Sequence, residues 1–148
     1  MSLAVRAHKY LSVLVVIAIS IQQAAASCTL TAQGVRFGPY DALSISPAES
    51  TGAVEVTCTV PTSYQLSLSS GNGVFTERTM VNGSHTLIYN LYTDASYSFI
   101  WGDGTGVTQV VNGYTESTTI HDIFGRIPAN QDVAVGSYND FIVVTIEF

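Results

Sequence analysis

The chain has 148 residues, 47% of them hydrophobic, with five basic residues against eleven acidic ones and a formal net charge of −6. So few cations cannot neutralise the phosphates of a nucleic acid or coat an anionic bilayer, which excludes both as ligands. The length suits one domain behind a short leader, and two cysteines allow one intramolecular disulfide.

Residues 1–26 read as an export signal peptide. Arg6, His8 and Lys9 form a basic start, residues 11–21 an apolar stretch, and Ala24-Ala25-Ala26 a small-x-small cleavage site. Cleavage is expected after Ala26. The apolar run is too short for a transmembrane helix, which needs about 20 residues, so no membrane insertion is expected after cleavage. Ala25 stands where a lipobox wants a larger aliphatic residue, which disfavours a lipid anchor at Cys28. Residues 27–148 then form the domain. Three arginines and no lysine face eleven carboxylates there, a net charge of −8. In an exported chain, Cys28 and Cys58 are expected to form a disulfide. Closing that loop stabilises the fold by roughly 3–4 kcal/mol in the chain-entropy model.

Period-two alternation dominates residues 27–148. Residues 29–37 (TLTAQGVRF) open the series. In 51–60 (TGAVEVTCTV), Val54, Val56, Cys58 and Val60 share one face. In 63–70 (SYQLSLSS), Tyr64, Leu66 and Leu68 do the same. Residues 86–93 (TLIYNLYT) are apolar on both faces, as in a strand inside a two-layer packing. Shorter strands are expected at 98–101 and 107–111, and longer ones at 117–124 and 141–148. Turn clusters such as Gly71-Asn72-Gly73, Asn82-Gly83 and Gly102-Asp103-Gly104 separate them. The pattern predicts an all-β, immunoglobulin-like antiparallel sandwich. Antiparallel pairing of the first two strands would bring Cys28 beside Cys58.

The last segment departs from this order. Ile142, Val144, Ile146 and Phe148 alternate towards a core while Phe141 and Val143 add apolar surface opposite. Natural proteins cover such an edge. Either the first strand does so internally, or another polypeptide adds a strand.

No motif supports catalysis, a cofactor or a metal. In WGDGTGV (101–107) no helix or lysine follows to make a phosphate cradle, and one aspartate is too few for a calcium loop. A hairpin turn accounts for its glycines. His121-Asp122 lacks a nucleophile elbow, and His121 is expected at an exposed or edge position. His85 reads as a solvated loop residue. Asn82-Gly83-Ser84 is both a sequon and a hairpin turn. Tyr97, Phe99 and Trp101 around the glycine loop are either core or a surface contact patch. No enzyme activity is expected.

The segments SCTLTAQGVRFGPYDAL, STGAVEVTCTV, RTMVNGSHTLIYNLYTDASYSFIWGDGTG and IFGRIPANQDVAVGSYNDFIVVTIEF together resemble the spore coat protein U domain. That family includes subunits of archaic chaperone–usher pili. The resemblance implies an incomplete sandwich that lacks one strand. A periplasmic chaperone would lend a strand beside residues 141–148, and at the outer-membrane usher a neighbouring subunit's extension would replace it. The acceptor groove would be bounded by Leu30, Val35 and Phe37 on one side and by Ile142, Val144, Ile146 and Phe148 on the other. Cleavage after Ala26 leaves only Ser27 ahead of Cys28, so the chain would accept a strand without donating one. A tip or minor pilus subunit, reaching the cell surface through the periplasm and serving adhesion or biofilm formation, is the leading expectation. A self-contained secreted coat or surface protein is the alternative, and a small secreted hydrolase the remote one.

Overall fold

The computed structural model describes residues 27–148; the expected signal peptide lies outside the described residues. Eight strands follow one another: β1 (Cys28–Gln33), β2 (Ala48–Cys58), β3 (Thr62–Leu68), β4 (Arg78–Asn82), β5 (His85–Tyr92), β6 (Val111–Thr115), β7 (Thr118–Ile127) and β8 (Val144–Glu147). They form a five-stranded sheet in the order β1-β2-β7-β5-β4 and a three-stranded sheet in the order β6-β3-β8, with every named pair antiparallel. The two sheets face each other as an immunoglobulin-like sandwich.

The alternation read from the sequence sets which side chains point inward. Val54, Val56 and Cys58 of β2, Tyr64, Leu66 and Leu68 of β3, Leu87, Tyr89 and Leu91 of β5, and Ile123 and Ile127 of β7 form one buried core. Cys28 lies directly opposite Cys58, and the two form a disulfide across a Cα–Cα distance of 4.1 Å. The Cys58 amide donates to Ser117 O at 2.9 Å, away from β1. Cys28 and Cys58 are thus a non-hydrogen-bonded pair, where antiparallel strands approach most closely.

Several expected strands differ. β4 pairs with β5 about the Asn82-Gly83 turn, Gly83 taking a φ of 59° there, although 78–82 carries no strong alternation. The expected strands at 98–101 and 107–111 reduce to isolated bridges, Tyr92 with Ile100 and Trp101 with Gln109, and the regular pairing begins only at Val111. The final strand is confined to Val144–Glu147, because Asn139 bridges to Val81 on the opposite sheet and the intervening residues cross between layers.

Trp101 is 0% exposed, so the aromatic loop residues do not form one surface patch. Its amide donates to Leu91 O at 2.9 Å in the larger sheet, and its indole Nε1 donates to Leu66 O at 3.2 Å in the smaller one. Tryptophan here is an inter-sheet rivet, with a buried N–H that requires and finds an acceptor.

Beside it lies a buried Arg78. Its Nε and Nη2 donate to Ser69 O at 3.2 and 2.8 Å, Nη1 to Asn90 Oδ1 at 2.6 Å, and Nη2 also to Trp101 O at 2.7 Å. Asn90 Nδ2 in turn donates to Phe75 O at 2.9 Å. Desolvation lowers the guanidinium's pKa, opposed by the nearby negative charge of Asp140. A planar fork of donors is the one side chain that can serve carbonyls from several irregular segments at once. Truncation leaves those acceptors buried and unpaired. Arg78→Met is therefore expected to destabilise the domain by about 3–5 kcal/mol, read as a shift of the urea unfolding midpoint. A loss under about 1 kcal/mol would show that the network contributes little.

Candidate functional site: an apolar groove between two unpaired edges

Between the sheets the sandwich is open along one side. β1 pairs only with β2 and β8 only with β3, so among the described residues no main-chain bond joins the β1 side to the β8 side. After Gln33 the chain leaves the edge of β2 and runs through residues 34–42 as the first wall. Gly52 permits this departure, since a Cβ there would lie 2.5 Å from Gln33 O. Residues 133–144 form the second wall, tied to β4 by the reciprocal bonds of Val81 and Asn139 at 2.8 and 3.1 Å.

The space between them has two sections. One, of 370 Å³, is lined by Val35, Leu68, Leu91, Ile123, Ile142 and Val144 among others. The second, of 850 Å³, is lined by Phe37, Tyr40, Leu87, Ile127 and Val133 among others. Val35, Met80, Tyr138 and Asn139 line both, so the sections are continuous. The floor is the inward face of β5 and β7, whose Leu87, Tyr89, Leu91, Ile123 and Ile127 belong to the buried core.

Of the residues expected to bound a groove, Val35, Ile142 and Val144 line the narrower section and Phe37 the wider. Leu30 and Ile146 pack against the core but line neither section, and Phe148 is 59% exposed. The second wall therefore lies earlier in the chain than the alternation of β8 alone suggests. Met80, Tyr89, Tyr138 and Asp140 belong to it as well. No sequence period marks them, because they come from β4, β5 and an irregular segment.

Two features fix the walls. Gly125 on β7 is the socket for the first: a Cβ there would lie 2.6 Å from Val35 Cγ1 and 2.8 Å from Phe37 Cζ. Tyr40 Oη donates to Pro128 O at 3.0 Å and accepts from Gln131 N at 3.0 Å, closing one end. Where β7 ends, the Gln131 side chain substitutes for a strand. It accepts from Ile88 N at 2.7 Å and donates to Ile88 O at 2.8 Å. On the second wall, Asp140 accepts from Tyr89 Oη at 2.7 Å, Asn72 N at 3.0 Å and Phe141 N at 2.7 Å. Burial, then the hydrogen bond to Asp140, pushes the Tyr89 hydroxyl well above its ordinary value, so it stays a donor.

The other residues singled out from the sequence lie elsewhere. Tyr97 adopts a φ of 57° and packs edge-on against Tyr92 at 5.5 Å, with the Arg126 guanidinium 4.7 Å from its ring centre. Phe99 is 49% exposed. Asp94 clamps this loop by accepting from Ser96, Ser98 and Phe99 amides, and its bond from the Ser96 hydroxyl leads in holding its carboxyl below the usual range. Asp103 similarly accepts from Thr105 N and Oγ1 at 2.9 and 2.6 Å, which makes the glycine loop a closed turn. Among the described residues, no group of three or more His, Cys, Asp or Glu is placed to hold a metal ion.

His121 is half-buried, paired to β2 on one side and lying beyond the Phe124–Arg126 stretch that pairs with β5. It sits in β7, inside the larger sheet, on the inward face, where its Nε2 is 2.7 Å from Tyr64 Oη. Desolvation depresses its pKa below 6.5, against the opposing pull of Asp122.

Gly125→Ala is expected to push Val35 and Phe37 off the floor and to destabilise the domain by about 1–3 kcal/mol in urea unfolding. An unchanged midpoint would mean that the wall yields freely. For His121, the folded form binds protons less readily than the unfolded chain. Its contribution is fully present above about pH 6.5 and falls as pH drops through the depressed folded value. The wild-type midpoint should therefore decline more between about pH 7 and about pH 5 than that of His121→Gln. Parallel declines would remove His121 from the pH response.

Comparison with known proteins gives this geometry a family. The model of the spore coat protein U domain matches residues 13–145. Protein U of Myxococcus xanthus is 30% identical over 128 residues, covering 77% of this chain and 71% of that protein. A similar solved structure is the pre-assembly complex of a chaperone with a tip adhesion subunit, from the archaic chaperone–usher Csu pili of Acinetobacter baumannii. It superimposes with a TM-score of 0.59 at 24% identity, covering 84% of this chain and 40% of that chain. The chain thus spans two-fifths of that solved chain, and the likeness is one of fold. The family match, extending over most of the sequence, shows that this chain belongs to the spore coat protein U domain family.

Proposed function

We propose that the chain is a structural subunit of an archaic chaperone–usher pilus, assembled by strand addition. The observation that carries this reading is the groove: an apolar floor between two walls whose main chains are not paired to each other. An extended segment of another chain is the ligand whose chemistry fits. Its main chain bonds to an unpaired edge, and its alternate side chains fill the two sections. Membership of the spore coat protein U family, and a fold shared with a chaperone-bound tip subunit, support the same reading.

In this mechanism a periplasmic chaperone occupies the groove first, and at the outer-membrane usher a neighbouring subunit's strand replaces it. The chain then resides at the cell surface, where it serves adhesion or biofilm formation. Cleavage after Ala26 would leave one residue before Cys28. A subunit so processed accepts a strand and cannot pass one on, which places it at the tip or among the minor subunits.

Purification from the periplasm with its native gene neighbours present tests the proposal. A stoichiometric complex with a chaperone is expected, lost when Val35→Glu and Ile142→Glu line the groove with charge. The intact mass of the subunit should correspond to residues 27–148. A stable lone monomer would instead favour a self-contained coat or surface protein. A longer amino terminus would remove the argument for a tip position.

A further inference from the structure

An empty apolar trench is driven to close, because its floor gains by leaving water and folded interiors tolerate few voids. In this protein one buried side chain reaches both walls of the trench. The Tyr89 ring meets Phe37 of the first wall edge-on, with ring centres 6.0 Å apart at 72°. Its hydroxyl donates to Asp140 Oδ2 of the second wall at 2.7 Å. Each wall is separately anchored behind that contact: Phe37 drops into the space over Gly125, and Asp140 Oδ1 accepts the Asn72 and Phe141 amides. Tyr89 itself is 4% exposed and lies opposite Arg78 in the β4–β5 pairing, so its own position is set by the core.

We propose that Tyr89, acting with Asp140, is the positioning residue that sets the width of the groove and keeps it ready for an incoming β-strand. The proposal rests on the reading of the groove as a strand acceptor. Tyr89 fixes the spacing of the walls rather than binding the strand's side chains. Its removal reduces the fraction of molecules whose groove is open at strand width. Apparent affinity falls by that fraction, and the loss appears in the association rate. Tyr89→Phe retains the contact with Phe37 and releases the Asp140 wall. Asp140→Ala releases the same wall from the other side. Asp140→Asn keeps the link, since an amide can accept from, or donate to, the tyrosine hydroxyl.

The test uses the exported, disulfide-bonded chain freed of any partner. The probe is a fluorescent, end-blocked peptide of alternating isoleucine and threonine flanked by lysines, followed by anisotropy. Tyr89→Phe and Asp140→Ala should take up the peptide about tenfold more slowly than wild type, with dissociation changed by less than about twofold. Asp140→Asn should stay within about threefold of wild type. A purely structural weakening would not be rescued by asparagine in this way. If Tyr89→Phe fails to fold, as judged by circular dichroism, the Asp140→Ala and Asp140→Asn pair decides alone. Equal association rates for all the variants would overturn the role of Tyr89 while leaving a strand acceptor in place. No uptake by the wild-type chain would overturn the acceptor reading and the proposal together.

Discussion

The buried guanidinium of Arg78 is the interaction on which the rest of the arrangement depends. It gathers Ser69 O from the end of β3, Asn90 Oδ1 from β5 and Trp101 O from the long connection between β5 and β6. Ser69 and Trp101 lie outside the named strands, and in a dry interior each acceptor would carry a desolvation penalty if left alone. By holding the Trp101 main chain, Arg78 also places the indole, whose N–H reaches Leu66 in the opposite sheet. The register of β4 against β5 sets Arg78 directly opposite Tyr89. The groove floor is therefore continuous with this buried polar network.

Rigidity is distributed so that one side of the sandwich can remain open. The disulfide fixes the start of β1 against the end of β2, where the strands lie closest. Five residues on, at Gln33, pairing ends and the chain is free to become a wall. An anchored beginning and a released end let a single strand act first as sheet and then as rim. The opposite rim is arranged similarly, with β8 paired to β3 while residues 138–143 step across to the Val81 edge. Phe141, at 81% exposure, shows what this leaves uncovered. An open apolar edge invites self-association. The eleven carboxylates and three arginines of residues 27–148 counter it, because like-charged copies repel.

Much of the frame was legible in the residues. Val54, Val56 and Cys58, then Tyr64, Leu66 and Leu68, alternate cleanly because their strands have one face in the core, and they are buried as the period requires. Cys28 and Cys58 paired as the expected order of the first two strands implied. What failed was set by tertiary context. For Trp101 the residues allow either core or surface, and the closed turn of the neighbouring glycines decides it by letting the indole fold inward. His121 stands among polar residues, and only its place inside the larger sheet turns it towards Tyr64. Arg78 gave no signal, because two of its three partners, Ser69 O and Trp101 O, are main-chain carbonyls that no side-chain pattern can mark. The groove was legible at its rims, in Val35 and Ile142, and illegible at its floor, to which Met80, Tyr89, Leu91 and Ile123 come from three strands.

An acceptor fold has to meet two opposed demands. Its floor must stay apolar and uncovered, which lowers the stability of the empty domain, while its walls must not collapse onto that floor. Extra apolar packing cannot satisfy both, since any side chain large enough to prop the walls would also fill the space. The solution in this chain is to prop from below and with polar bonds. Most of Tyr89 lies in the core, and only its ring edge and hydroxyl bear on the walls. Gln131 caps the main chain of Ile88 with an amide instead of a strand, so the larger sheet ends without needing cover there. On the strand-acceptor reading, stability would be regained through binding, because a ligand that fits only the folded form stabilises it by mass action. A strand seated in the groove would thus finish the fold and report that folding is complete. On the strand-acceptor reading, that coupling would give a reason for the opening in the sandwich: closing it internally would stabilise the domain and leave an incoming strand no place to bind.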